Sequence, residues 1–135
     1  MTTYYKCVRK EDNHYFSITG CDYELDTNLE YRIGKWTTPI IAGSNIMVFK
    51  SLEKAKRFAL SYSDYCIFEC EVRNPSKTGI FFWSNYDVIH KLASIAKLKR
   101  LKKAYKKYIT DIDHIPDGTI FCSAVKLIKI VEDCN

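Results

Sequence analysis

Glycine and proline are scarce in this chain: five and three among 135 residues. Neither GxGxxG nor the GxxxxGK[ST] loop occurs, which removes the two glycine-rich cradles that hold nucleotide phosphates on backbone amides. The longest apolar runs, such as "GIFFW" and "PIIAG", fall far short of the roughly 20 residues needed to cross a bilayer. The first residues, "MTTYYKCVRKEDNHYF", carry charges where a secretory signal needs an apolar stretch. An intracellular, cytoplasmic setting is therefore expected. His14, His90 and His114 show no metal-ligand spacing between any two, and neither a metal nor a cofactor is expected.

The residues that are present describe a globular domain. The hydrophobic fraction is 47% and the aromatic fraction 14%, enough to build a core without metal or disulfide staples at this length. With no export signal, the six cysteines at 7, 21, 66, 70, 122 and 134 read as free thiols. Cys66 and Cys70 fall on one side of a strand, about 13 Å apart at 3.3 Å per residue, too far to share one metal.

Acidic residues are missing from one segment. Residues 91 to 108, "KLASIAKLKRLKKAYKKY", hold eight lysines or arginines and no acid, while the rest of the chain has 13 basic against 16 acidic residues. The excess of positive charge is thus confined to one stretch, which creates a directional field able to steer an anion.

Local patterns suggest the elements. "YYKCVRK" and "HYFSITG" read as a hairpin turned by Asp12 and Asn13. The segment "CDYELDTNLEYRIGKWTTPIIAGSN" reads as an irregular connection with one short strand, followed by "IMVF" as a strand. In "KSLEKAKRFALSYS", apolar Leu52, Ala55, Phe58, Ala59 and Tyr62 recur at helical spacing behind Ser51 as N-cap. "YCIFECEVRNP" alternates, with Cys66, Phe68, Cys70 and Val72 inward and Glu69 and Glu71 outward. "GIFFWSN" adds a short strand, and "YDVIHKLASIAKLKRLKKAYKKYI" has helical propensity throughout. "HIPDGT" is a turn, and "TIFCSAVKLIKIVED" supplies one or two final strands. The expected fold is a single α+β domain over 1–135: a mainly antiparallel sheet with two helices packed against it.

The last predicted helix carries two apolar faces, one with Val88, Leu92, Ile95 and Ala96 and another with Leu98, Leu101, Tyr105, Tyr108 and Ile109. Lys97, Lys99, Arg100, Lys102, Lys103, Lys106 and Lys107 are the candidate anion-binding residues, because clustered cations without acidic partners repel one another until something offsets them. A solvated face, a phosphate ligand, an acidic protein and the chain's own Asp22 to Glu30 segment are all able to offset them. Lys35, Trp36 and Tyr86 are candidates for base stacking, with Trp83 beside them, since a ring next to a cation can hold a base. No catalytic residue is assigned.

The run "VFKSLEKAKRFALSYSDYCIFECEV" resembles the central part of small ADP-ribosyltransferase-like domains. The succession "YKCVRK", "GKW", "VFKSLEKAKRFA", "IFECEV" and "PDGTIFCSAVKLIKIV" is similar to small uncharacterised proteins of phages and large DNA viruses. The first resemblance implies a histidine or arginine in the first strand to hold NAD, and a catalytic glutamate near a late strand. "TYYKCV" has no histidine, Arg9 flanks it, and the available glutamates are Glu69, Glu71 and Glu132. Together these readings suggest a non-enzymatic accessory protein, viral by resemblance, that binds nucleic acid or a nucleotide through the basic helix. The alternatives are an interaction protein that engages or blocks an acidic host protein, and a divergent transferase using NAD.

Overall fold

The computed structural model describes residues 2–17, 29–39, 45–60, 65–78 and 117–133. Their elements are β1 (Tyr4–Glu11), β2 (His14–Ser17), β3 (Glu30–Tyr31), β4 (Trp36–Thr37), β5 (Ile46–Phe49), α1 (Leu52–Ala59), β6 (Tyr65–Arg73), β7 (Thr119–Cys122) and β8 (Ala124–Glu132). Among the described residues no helix is long and apolar enough to cross a membrane.

Short-range chemistry sets the local pieces. Asp12 and Asn13 both have positive φ, 50° and 63°, the backbone of the two-residue turn whose twist matches its flanking strands. Arg9 therefore lies opposite Phe16, and Glu11 opposite His14. Ser51 Oγ accepts a hydrogen bond from Lys54 N at 3.3 Å, satisfying one of the orphan amides at the start of α1. Ala55 and Ala59 are fully buried, and Phe58 packs its ring 5.4 Å from that of Phe49, so the helix lays its apolar stripe on the sheet.

All strand pairs are antiparallel, in the order β3-β2-β1-β6-β8-β4, with β5 joining β1 to β7. Laid flat at about 4.8 Å per strand, the outer strands β3 and β4 would stand about 24 Å apart. Only five steps of chain join Tyr31 to Trp36, a reach of at most about 18 Å. The sheet must curl, and the turn between these strands closes it: Gly34 N donates to Leu127 O at 2.8 Å.

The curl gives the sheet two unlike faces. Inside, Val8, Tyr31, Ile46, Val48, Cys66, Phe68, Cys70, Cys122, Val125 and Leu127 form the main core. Outside, α1 covers Cys7, Met47, Phe49 and Ile67. Ile67 is therefore as buried as its neighbours Cys66 and Phe68, and β6 is covered on both faces over this stretch where its alternation suggested one.

The expectation of a sheet with two helices packed against it is corrected here. The described residues are mostly antiparallel sheet, 58% strand, with a single helix of seven or more residues. Among the described residues the concave cluster is built strand against strand, and α1 covers only the convex cluster. The second predicted helix, "YDVIHKLASIAKLKRLKKAYKKYI", lies outside the described residues, as does "GIFFWSN". The connection expected to hold one short strand holds two among its described residues, β3 and β4.

Candidate functional site

The closing turn creates the most distinctive surface among the described residues. Lys35 N donates to Arg32 O at 3.1 Å, and Gly34 has φ of 79°, the left-handed third position of a type II turn that glycine fills without strain. This geometry, pinned to β8 by the Gly34 amide, delivers Trp36 opposite Lys126. Lys126 in turn lies opposite Glu71. Residues directly opposite share a face, so Trp36, Lys126 and Glu71 form a row on the convex side, and Arg73, two residues beyond Glu71, belongs with them.

The row is knit by charge and by a ring. The Arg73 guanidinium carbon stands 4.0 Å from the Trp36 ring centroid, and Lys126 Nζ stands 5.1 Å from it. Lys126 Nζ also pairs with Glu71 at 3.0 Å. Arg32 and Lys35, both exposed, have no carboxylate partner among the described residues. Two cations, Arg73 and Lys126, thus lie over one indole against a single carboxylate, with exposed Arg32 and Lys35 in the turn that leads into it, a locally positive surface that includes an aromatic ring.

Of the stacking candidates, Lys35 and Trp36 are brought together here, while Tyr86 and Trp83 lie outside the described residues. Lys97, Lys99, Arg100, Lys102, Lys103, Lys106 and Lys107 also lie outside them. So does the acidic segment apart from its end, where Glu30 Oε1 sits 2.6 Å from His14 Nδ1. Arg73 and Lys126 were missed. Alternation in "ECEVR" does put Arg73 on the face of Glu69 and Glu71, but nothing local tells that Trp36 will lie across from Lys126.

The remaining chemical groups are otherwise engaged. Lys6, 5% exposed, donates from Nζ to Met47 O at 2.8 Å and faces the Tyr31 ring at 5.5 Å. Burial pushes the thiols of Cys7, Cys70 and Cys122 up to about 12, and nearby Lys6 offsets this only in part. At neutral pH these three are thiols and not thiolate nucleophiles. The expectation that all cysteines are free is corrected at Cys66, which is disulfide-bonded, its partner lying outside the described residues. The glutamates raised by the transferase resemblance each meet a lysine: Glu69 with Lys129 at 3.7 Å, Glu71 with Lys126 at 3.0 Å and Glu132 with Lys56 at 3.3 Å. No group of three or more metal-ligating side chains occurs among the described residues.

Comparison with family models, with curated proteins and with solved structures returns no match.

Proposed function

We propose that the protein is a non-enzymatic binding protein for an anionic ligand that carries a planar ring, with single-stranded nucleic acid or its nucleotides as the ligand class. The observation that carries this reading is the Trp36 indole with Arg73 and Lys126 over it, at the end of a turn that carries the exposed Arg32 and Lys35. The Arg73 guanidinium lies over the indole, so a base would add to a ring already backed by a cation, while Lys126 meets the adjoining phosphates. Single strands suit it better than duplex, because only unpaired bases expose their faces to a side chain. The basic stretch from Lys97 to Lys107, known here from the sequence, is proposed as a further source of phosphate contacts. A viral accessory role inside an infected cell remains part of the proposal, carried by the resemblance. The disulfide at Cys66 counts against a reducing compartment, so the intracellular part of the proposal rests on the sequence and the resemblance alone.

The test is fluorescence anisotropy with short labelled single-stranded and duplex oligonucleotides at about 50 and 200 mM salt. Three or four phosphate contacts on a single strand imply a loss of about 20- to 50-fold over that range. Trp36→Ala is expected to weaken single-strand binding by about 1 to 3 kcal/mol. Charge reversal at Lys99, Arg100, Lys103 and Lys107 is expected to remove a further, strongly salt-dependent part. Absence of binding at the lower salt, or an affinity indifferent to Trp36→Ala, overturns the reading.

A further inference from the structure

β8 is paired along one margin with β6. On its other margin β4 reaches only Val125 and Lys126, and the Gly34 amide takes Leu127 O. From Ile128 to Glu132 no strand among the described residues pairs with this outer margin. An open margin presents backbone donors and acceptors to any extended chain that can lie beside it.

Three of the four exposed large hydrophobic side chains among the described residues gather at this place: Ile128 at 43%, Ile130 at 39%, and Ile33 at 53% beside the pinned Gly34. Register assigns the side chains to faces. Lys129 lies opposite Glu69, on the convex face, and Ile130 opposite Phe68, on the concave face. The register of β8 against β6 shifts at Ile128 and again at Val131, so an added strand would set adjoining side chains beside Lys129 and beside Ile130 across that step.

Charge decides what kind of strand fits. Lys129 is exposed and holds Glu69 only at 3.7 Å, and Arg32 and Lys35 flank Ile33. Glu132, the one acid on this stretch, is paired with Lys56 at 3.3 Å. A second copy of this chain in the same position would bring lysine toward lysine, and like charges on paired strands are destabilising. Edge lysines are a common guard against self-pairing, and the same lysine attracts an acidic strand.

We propose that the outer margin of β8, from Ile128 to Glu132, is a docking edge for an extended segment of a partner protein in which acidic and aliphatic side chains alternate. Main-chain hydrogen bonds would supply affinity, while Lys129 and the isoleucines would select the pattern.

The experiment uses labelled nine-residue peptides and fluorescence anisotropy on the full chain. One peptide alternates Glu and Val, one alternates Lys and Val, and one is the Glu–Val peptide N-methylated at every second amide. Binding of the Glu–Val peptide alone is expected. Lys129→Glu, at an exposed position, is expected to weaken that peptide about fivefold and to admit the Lys–Val peptide, the effect of exchanging an attractive cross-strand pair for a repulsive one. Equal binding of the two charge types, indifference to N-methylation, or no binding of any peptide at millimolar concentration overturns the proposal. These wild-type comparisons decide it even where the variant does not fold.

Discussion

Tyr31→Phe is expected to make this protein more stable. Tyr31 is 2% exposed, and its hydroxyl has no hydrogen-bond partner among the described residues. In the unfolded chain that hydroxyl bonds to water, so folding forfeits a hydrogen bond, at a cost of about 1 to 3 kcal/mol in protein mutational data. Phenylalanine removes the group that carries this penalty. It keeps the ring that faces Lys6 Nζ at 5.5 Å and the contacts with Val8, Phe68 and Leu127 in the concave core. The loss of one oxygen's packing offsets part of the gain, leaving about 1 kcal/mol. An unfolding entropy of about 2.1 cal/mol/K per residue gives a chain of this length about 0.28 kcal/mol/K, so the midpoint should rise by about 3 to 4 °C. Thermal and urea unfolding followed by circular dichroism would measure it, with Tyr31→Leu as the control. Leucine withdraws the aromatic face from a buried ammonium and should be destabilising. A lower midpoint for Tyr31→Phe would mean that the hydroxyl is satisfied in the native protein, and the argument from an unpaired buried group would fail.

Two other outcomes follow from the core and its rim. The thiols of Cys7, Cys70 and Cys122 are raised from an ordinary 9.0 to about 12 by burial. Between those values the native state keeps protons that the unfolded state has released, so stability should be flat below about pH 8.5 and fall as pH rises above 9, as read from urea midpoints across pH. Replacing all three by alanine, in a variant that still folds, should remove that slope; an unchanged slope would assign it elsewhere. Gly118 has φ of 83°, and a Cβ placed there would meet Lys54 Cδ at 2.3 Å. Gly118→Ala should therefore cost at least about 1 kcal/mol from the left-handed backbone alone and weaken the pair of Lys54 with Asp117, 3.0 Å apart. An unaltered midpoint would show that the turn before β7 adopts another conformation.

The hairpin at Asp12 and Asn13, the cap at Ser51 and the alternation in β6 are all legible because each depends on residues within a few positions of one another. Turn chemistry, an N-cap hydroxyl and side-chain period act at that range. The two-helix expectation failed for the opposite reason: how many helices a sheet needs depends on how it curves, and curvature depends on which distant strands pair. The burial of Ile67 on the face that alternation left open has the same origin, since α1 arrives from elsewhere in the chain. Lys6 looks like an ordinary strand lysine in "YYKCVRK", and only the close approach of Met47 and Tyr31 makes it an interior one.

By itself the sequence determined most of the local elements, the lack of glycine-rich phosphate loops, and the ring-and-cation pair of Lys35 and Trp36 as a place to look. These are matters of composition and of neighbours along the chain. Only the tertiary structure decided that Trp36 meets Arg73 and Lys126 and that the sheet closes through the Gly34 turn onto Leu127. Each of these is a pairing between residues far apart in sequence. Register is settled by whole strands burying their faces together, and no local window of residues contains that information.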